Sequence, residues 1–133
     1  MPVKRSHAIP IDPTLPYDDS NIFARILRKE IPSQTLYEDE FALAFPDINP
    51  AAPMHILVIP KGRYVSWDDF SAKASDAEIS GFVKAVAKVA RDAGLVESGY
   101  RLLANTGVDS NQQVPHLHVH IFGGRQLGPM LAR

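Results

Sequence analysis

The sequence predicts an α+β domain built on an antiparallel sheet of about five strands, with one short and one long helix. Helical and β-rich segments follow one another in the order helix, strands, helix, strand pair. One long segment repeats apolar residues at helical spacing, and one C-terminal stretch alternates histidines with aliphatic residues, which is the period of a strand. An open sheet of this size exposes edges, which favours pairing with a second copy of the chain.

Length and composition limit the range of functions. The chain has 133 residues, which suffices for one domain that buries roughly two-thirds of its unfolded surface. Its net charge of −1 gives no charge excess that would attract nucleic acid or a membrane surface. The absence of cysteine excludes disulfides and thiol catalysis. No apolar run reaches the length of a signal peptide or a membrane span, so we expect a cytoplasmic protein with no membrane or nucleic-acid partner.

The N-terminal segment is predicted to be a proline-rich tail, and residues 19–133 a single domain. Prolines remove amide donors from residues 1–18 and favour extended backbone, so this tail orders only where it lies on another surface. Residues 18–20 then offer N-cap acceptors for a short helix that is predicted to end near Lys29, before Pro32.

The first half of the domain predicts a hairpin and a central strand. Residues 35–38 and 41–45 are β-rich segments separated by an acidic pair, which is typical of an antiparallel hairpin. The connection over residues 46–53 must be irregular, because its prolines can neither continue a ladder nor enter a helix interior. The central strand follows over residues 55–60 and carries His55.

The long helix follows a predicted turn around residues 64–70. Ser75 and Glu78 form a capping box, and Gly94 stands where a glycine just after the helix is expected. The apolar positions between them keep helical spacing and are predicted to cover the core: Ile79, Phe82, Val83, Val86, Val89, Ala90 and Ala93. Residues 99–105 predict a further strand, and a polar loop follows it.

The most informative stretch is residues 115–122. Read as a strand, it places His116, His118 and His120 on one face and aliphatic residues on the other. Neighbours on one face lie ~6–7 Å apart, so a phosphate group could touch the middle ring and still be reached by a flanking one. Imidazole is a good nucleophile near neutral pH when an acceptor holds its other N–H, and a protonated neighbour can stabilise phosphoryl oxygens and donate a proton.

Two other interpretations of the histidine row are a structural role and a metal site. Neutral buried rings would each need a partner for the ring N–H and protonated rings would repel one another, so the row is costly to keep for packing alone. A zinc site would lack any cysteine ligand, although His55 could add a nitrogen, and alternate residues converge on one ion only where the strand bends. Phosphate chemistry without a metal or other cofactor is the favoured interpretation.

The histidine stretch also resembles a known family. Residues 116–122 match the pattern His-φ-His-φ-His-φ-φ, with φ an apolar residue, of the histidine triad (HIT) family, and Gly123-Gly124-Arg125 follows as in its Hint branch of nucleotide-binding proteins. The resemblance extends from about residue 21 to residue 126. Further segments look like that branch in order and spacing: Ile22-Phe23, Glu30-Ile31-Pro32, Phe45 to His55, Val58 to Lys61, Asn105 and Gln112.

The resemblance implies a HIT-like fold with a sheet that continues across a homodimer, and hydrolysis or transfer at the α-phosphate of purine nucleotide derivatives. These substrates would be AMP or GMP conjugates of the phosphoramidate or adenylylated-lysine type, attacked through a covalent nucleotidyl-histidine intermediate. By position, His118 resembles the nucleophile and His120 the group that contacts phosphate and leaving group, while His116 and His55 resemble their supports. Asp47 resembles the carboxylate that holds the ribose hydroxyls. The other implied substrate contacts are apolar or amide side chains: Phe23, Ile26, Ile31, Phe45, Ile48, Asn105, Gln112, Gln113 and Val114.

Two residues depart from the branch, and two other functions stay open. Asn111 stands where glycine is usual, and Gln113 where Ser or Thr is frequent, which points to a different leaving group or slower turnover. One alternative is a dinucleoside polyphosphate hydrolase of the same fold, which the Gly123-Gly124-Arg125 sequence disfavours. The other is a nucleotide-binding regulatory module with weak catalysis, which the intact nucleophile disfavours. The third histidine argues against a uridylyl transferase type, which has glutamine there.

Overall fold

The computed structural model describes residues 11–131, so residues 1–10 of the predicted tail and residues 132–133 lie outside it. Within this range the chain forms one five-stranded antiparallel sheet in the order β1-β2-β3-β5-β4, together with three helices. The elements are α1 (Ile22–Leu27), β1 (Tyr37–Glu38), β2 (Ala42–Pro46), β3 (Met54–Pro60), α2 (Trp67–Lys73), α3 (Asp76–Asp92), β4 (Arg101–Leu103) and β5 (Val119–Gly123). The predicted α+β class and the five-stranded antiparallel sheet are confirmed.

The sheet separates two apolar clusters. On one side, here called the α3 face, α2 and α3 pack against strand residues that include Val119 and Ile121. On the other side, the α1 face, Phe23 of α1 packs against β2 and β3. Leu57 and Val58 show the alternation directly, because these neighbours on β3 belong to opposite clusters.

The pairing of β3 with β5 brings two of the histidines together. Leu57 lies opposite His120, and His55 lies opposite Phe122. His55 and His120 are therefore diagonal neighbours on the same face of two adjacent antiparallel strands, within reach of long or aromatic side chains.

The histidine stretch is a strand only in its second half. We predicted a strand over residues 115–122, but β5 begins at Val119. The backbone before it bonds elsewhere, because Leu117 N–H donates to the Tyr64 carbonyl at 2.8 Å and the His116 carbonyl accepts from the His118 ring. The alternation of side chains persists through this irregular segment, since Leu117, Val119 and Ile121 all lie in the α3-face cluster.

Helix α1 differs from the prediction at both ends. Its N-cap is Asn21, whose Oδ1 accepts the Ala24 N–H at 2.9 Å. The predicted cap residues 18–20 instead form a local turn, in which the Asp18 carboxylate accepts the backbone N–H and hydroxyl of Ser20. The helix ends at Leu27 rather than near Lys29, because Lys29 adopts a left-handed backbone conformation with φ of 65°.

Helix α2 is an element that the sequence interpretation missed. Residues 67–70 of the predicted turn are the first part of a helix of seven residues. Its N-cap is Ser66, whose hydroxyl accepts the Asp69 N–H at 3.3 Å. A helix this short carries too few apolar positions for a periodic signal. Helix α3 has the predicted capping box of Ser75 and Glu78, and Gly94 after it has the expected left-handed φ of 73°.

The remaining boundaries differ by a few residues. The edge strands β1 and β4 are shorter than the predicted segments 35–38 and 99–105, and Pro46 is the last residue of β2 rather than part of the connection. None of the helices among residues 11–131 is both long enough and apolar enough to cross a bilayer.

Candidate active site

The structure brings His55, His116, His118 and His120 together on the α1 face. The ring centroids of His118 and His120 are 5.1 Å apart, and those of His55 and His120 are also 5.1 Å apart. The ring of Phe23 packs edge-on against His118 at 5.0 Å. The histidines are therefore close enough for one phosphate group to meet two rings.

His116 is fully buried and held at both ring nitrogens. Its Nε2 lies 2.9 Å from the carbonyl oxygen of Pro60, and its Nδ1 lies 2.6 Å from the hydroxyl of Tyr17. A carbonyl only accepts, so Nε2 carries the proton and Nδ1 accepts from the Tyr17 hydroxyl. Burial lowers the pKa of His116 to about 4, so this ring is neutral at neutral pH and acts as a fixed support.

His118 presents one ring nitrogen in the form a nucleophile needs. Its Nδ1 lies 2.8 Å from the carbonyl oxygen of His116, so Nδ1 carries the proton and Nε2 keeps its lone pair. Burial lowers the pKa of His118, which favours the neutral ring further. A neutral, oriented imidazole with a free nitrogen can attack an electrophilic phosphorus near pH 7.

His55 and His120 form a second chain of ring contacts. The backbone N–H of Ala51 donates to His55 Nδ1 at 3.0 Å, so the His55 proton resides on Nε2. That Nε2–H points to His120 Nδ1 at 2.9 Å, which leaves the His120 proton on Nε2. This buried His120 Nε2 has no hydrogen-bond partner among residues 11–131. This N–H can donate a hydrogen bond to an acceptor that none of the described residues supplies.

His120 is the neighbour that could assist the nucleophile in a protonated form. Burial, together with the nearby His118 and His55, lowers the pKa of His120 to about 4 in the structure. The ligand-free site is therefore neutral at its histidines around pH 7. His120 still donates from Nε2 in the neutral form, and an anionic group placed beside it would raise its proton affinity.

A pocket of about 730 Å³ opens beside these rings, which is a usual size for a small-molecule site. His118 and His120 are among the residues that line it, and apolar side chains form most of its wall. The predicted site residues that line it are Phe23, Ile26, Ile31, Phe45, Asp47, Ile48, Gln113, Val114, His118 and His120. Lining residues that we did not predict include Ile22, Ser33, Gln34 and Leu57.

Asp47 is the acidic group of the pocket. Its Oδ1 accepts the Asn49 N–H at 2.8 Å, and its Oδ2 lies 3.4 Å from His55 Nε2. The carboxylate is thus oriented by the loop but keeps acceptor capacity for a ligand. Beside it, Ile48 is 90% exposed at the pocket rim, which leaves an apolar side chain free to cover a flat ligand.

Within residues 11–131, Asp47, His55 and His120 form a group that could hold a metal ion. One donor atom of each lies within 4.8 Å of the others. This set differs from the metal site weighed from the sequence, since it uses one residue of the histidine row instead of three. A metal bound there would replace the hydrogen bond between His55 Nε2 and His120 Nδ1.

Two predicted substrate contacts lie outside the pocket. The Gln112 side chain is buried and bonds to the backbone, with Oε1 accepting the Gly107 N–H while Nε2 donates to the carbonyls of Val65 and Val114. Gln112 therefore braces the loop that carries Gln113 and Val114, with its amide already satisfied. Asn105 is half-buried beyond β4 and does not line the pocket.

Tyr17, which bonds to His116, is a further residue that sequence reasoning missed, because it lies in the predicted tail. The available signal was indirect: a buried neutral histidine needs a partner at each ring nitrogen, so a triad histidine placed in the core requires a donor from another segment.

The chain is similar to several known proteins. The model of the HIT domain family matches residues 28–127. An uncharacterized 13.2 kDa HIT-like protein of Azospirillum brasilense is 63% identical over 117 residues, which is 88% of this chain and 96% of that protein. The purine nucleoside phosphoramidase of Escherichia coli K12 is 45% identical over 114 residues, which is 86% of this chain and 95% of that protein. A HIT family hydrolase structure from Clostridium thermocellum superposes with a TM-score of 0.77 at 42% identity, covering 86% of this chain and 99% of that one.

Proposed function

The chain belongs to the HIT domain family, and from that premise we propose that it is a purine nucleoside phosphoramidase-like hydrolase acting at the α-phosphate. The proposed substrates are AMP or GMP conjugates of the phosphoramidate or adenylylated-lysine type. The observation that carries the proposal is that two neighbouring histidines line one pocket and offer complementary nitrogens: the lone pair of His118 Nε2, and the N–H of His120 Nε2, which has no partner among residues 11–131. The 45% identity to the phosphoramidase of E. coli supports the substrate class.

In the first proposed step, His118 Nε2 attacks the α-phosphorus. A bond forms between Nε2 and phosphorus while the bond between phosphorus and the amine nitrogen breaks. The negative phosphate raises the pKa of His120, which therefore takes up a proton when the substrate binds. Its Nε2–H donates a hydrogen bond to a phosphoryl oxygen and then passes the proton to the departing amine, which leaves His120 neutral. The His116 carbonyl, 2.8 Å from His118 Nδ1, stabilises the positive charge that develops on the His118 ring.

In the second proposed step, water releases the nucleotide. Its oxygen bonds to phosphorus, the bond to His118 Nε2 breaks, and the proton of the water passes to His120. His118 returns to the neutral form with its proton on Nδ1, where the His116 carbonyl holds it. The net reaction consumes one water and yields an amine and a nucleoside monophosphate.

The rest of the pocket suits a nucleoside. A carboxylate can accept hydrogen bonds from both hydroxyls of a ribose, and Asp47 has an oriented carboxylate in the pocket wall. Phe23, Phe45 and the exposed Ile48 offer apolar surface for a base. We propose these residues as the ribose and base contacts, with Gln113 at the side of the leaving group.

The decisive experiment compares wild type with His118→Ala on a fluorogenic adenosine phosphoramidate. Wild type should release AMP, and mass spectrometry of quenched reactions should find the nucleotidyl group on His118. His118→Ala should lose at least roughly 10³-fold in kcat, the scale expected when the nucleophile of a site is removed. Equal rates in the two proteins would eliminate the proposal.

The same assay separates the alternative functions. Dinucleoside polyphosphates should give a lower kcat/KM than the phosphoramidate, and the reverse ranking would favour the polyphosphate hydrolase. Tight AMP binding without turnover of either substrate would favour a regulatory binding module.

We propose that the reaction needs no metal. Treatment with a chelator should leave kcat within about twofold of the untreated value. Proton transfer by His120 and nucleophilic attack by His118 both use ring nitrogens and require no metal. Metal analysis of protein purified without a histidine tag checks this. Stoichiometric zinc that is lost in His55→Ala would overturn metal independence, since His55 belongs to the candidate metal-holding set.

We also propose a homodimer whose sheets join through β4. This strand forms one edge of the sheet, and beside it lies an apolar groove that includes Trp67, Val83 and Leu102, each about half exposed. Apolar surface along a strand edge is suited to a second copy of the same edge. Sedimentation should give the dimer mass for wild type and the monomer mass for Leu102→Lys.

A further inference from the structure

We propose that Tyr17, from the segment before α1, is a positioning residue for the nucleophile: its hydroxyl fixes the ring of His116, and the carbonyl of His116 fixes His118. The catalytic consequence rests on the proposed function, whereas the chain of hydrogen bonds can be tested without any substrate. Nothing in the proposed reaction requires Tyr17 to touch the nucleotide, since it does not line the pocket.

The chain of hydrogen bonds runs in one direction. Tyr17 donates to His116 Nδ1 at 2.6 Å, and His116 Nε2–H donates to the Pro60 carbonyl at 2.9 Å. His118 Nδ1–H then donates to the His116 carbonyl at 2.8 Å. The Pro60 carbonyl forces the tautomer of His116, so a donor hydroxyl is the group that His116 Nδ1 requires.

The position of the His116 carbonyl depends on this chain because the segment is outside the sheet. A strand ladder would fix the carbonyl through its neighbours, but β5 begins only at Val119. Two contacts hold the segment instead. The His116 ring is hydrogen-bonded at both nitrogens in the core, and the Leu117 N–H donates to the Tyr64 carbonyl. Loss of the hydrogen bond from Tyr17 to His116 should therefore make the position of the His116 carbonyl, which orients His118, less fixed.

Tyr17 is itself held in place. The guanidinium of Arg63 lies over its ring, 5.2 Å from the centroid, and Arg63 also pairs with Asp19 at 3.3 Å. The Tyr17 ring meets the His116 ring edge-on at 5.5 Å. Burial raises the pKa of Tyr17, so the hydroxyl stays protonated and remains a donor at neutral pH.

The kinetic test uses Tyr17→Phe in the full chain, with Tyr37→Phe as the matched control. Tyr37 also has a hydroxyl that donates a hydrogen bond, to Asp39 at 2.7 Å, but it lies outside the pocket. Loss of one buried hydrogen bond predicts a fall in kcat of about 5- to 10-fold for Tyr17→Phe. KM should stay within about twofold, because Tyr17 makes no contact with the pocket, and Tyr37→Phe should match wild type.

Nitrogen NMR of the histidine rings gives a test that needs no activity. Wild type should show His116 protonated at Nε2 and hydrogen-bonded at Nδ1, with a protected Nδ1–H on His118. Tyr17→Phe should shift the His116 Nδ1 resonance and speed the exchange of the His118 Nδ1–H, whereas Tyr37→Phe should change neither. Should Tyr17→Phe not fold, difluorotyrosine at position 17 changes the donor strength while the ring stays, and the His116 Nδ1 resonance should still shift.

The outcomes separate this inference from the proposed function. Unchanged His116 and His118 resonances in Tyr17→Phe would overturn the inference, whether or not the protein hydrolyses phosphoramidates. A fall in kcat that vanishes when rates are corrected for the folded fraction would overturn it too, since it would show a structural role only. Wild type inactive on every nucleotide tested, with the NMR changes present, would overturn the proposed function and support the hydrogen-bond chain.

Discussion

His120 and Ile121 are neighbours on β5, yet they face opposite environments. Ile121 is fully buried among apolar side chains of the α3 face, where any residue of the right size and shape would serve. His120 lies on the α1 face with an N–H that has no partner among residues 11–131. The polar and apolar groups on one side of the strand have their partners within the fold, whereas the other side holds a buried N–H without a partner among the described residues. The two faces should therefore differ in their main response to mutation: stability for the α3 face and activity for the α1 face.

The largest expected effect is on activity, from His120→Ala. Removal of a positioned acid–base group should lower kcat by roughly 10²- to 10⁴-fold, measured with the fluorogenic phosphoramidate. The variant also leaves the His55 Nε2–H without its acceptor, His120 Nδ1, so a destabilisation of about 1–3 kcal/mol is expected and kcat is compared per folded molecule. Tyr37→Phe, whose hydroxyl bonds to Asp39 outside the pocket, is the control and should keep the wild-type activity. A His120→Ala protein with wild-type kcat would remove the distinction between the faces.

Ile121→Ala should show the reverse pattern. Truncation of a fully buried isoleucine leaves a cavity in the α3-face cluster and should cost roughly 2–5 kcal/mol in the free energy of unfolding. Ile121→Val should cost about 1 kcal/mol. Urea denaturation measures both, and kcat per folded molecule should equal that of wild type. A large loss of kcat in folded Ile121→Val would show that the two faces are coupled.

The α3 face was predictable from the sequence to a large extent. The capping box of Ser75 and Glu78 and the apolar stripe of α3 are local signals, and the structure shows both. The alternation of Leu117, Val119 and Ile121 also predicted their burial, even where the strand itself is absent. Helix α2 escaped because seven residues carry too few turns for periodicity to be visible.

The α1 face was predictable in its residue types but not in its connections. The alternating histidines in the sequence predicted which imidazole rings share one face. The resemblance to the family predicted most of the side chains that line the pocket. The partners that set each tautomer come from distant points of the chain: Tyr17 and Pro60 for His116, and Ala51 for His55. No local pattern encodes such contacts. Gln112 shows the converse, because an amide that looks available in the sequence is used up by backbone groups in the fold.

The pH dependence of stability tests the burial of the histidines. Because the pKa of His116 and of His120 falls to about 4 in the folded protein, the unfolded chain binds more protons between about pH 6.5 and 4. The free energy of unfolding should therefore decrease as the pH is lowered through this window, with His116 contributing up to about 3 kcal/mol.

Denaturation of wild type and His116→Gln at several pH values checks this prediction. The variant should lose part of the slope between about pH 6.5 and 4, because glutamine does not titrate. Carboxylates whose pKa is lowered, such as Asp69 and Glu78, add their own destabilisation mainly below about pH 5, so the slope between about pH 6.5 and 5 reports the histidines. Parallel slopes for the two proteins would show that His116 is not the buried neutral ring described above.

The smallest expected effect concerns Asn111, in the loop that leads to the histidines on the α1 face. Asn111 has a φ of 62°, in the left-handed region that glycine adopts freely and asparagine tolerates better than most residues. Asn111→Gly relieves residual strain but adds freedom to the unfolded chain, so the free energy of unfolding should change by less than about 0.5 kcal/mol. Asn111→Ala should cost about 1 kcal/mol, because its Cβ keeps the strain and its side chain has no polar group to offset it. If the glycine variant lost as much as the alanine variant, the asparagine side chain itself, rather than the backbone conformation, would be what this loop requires.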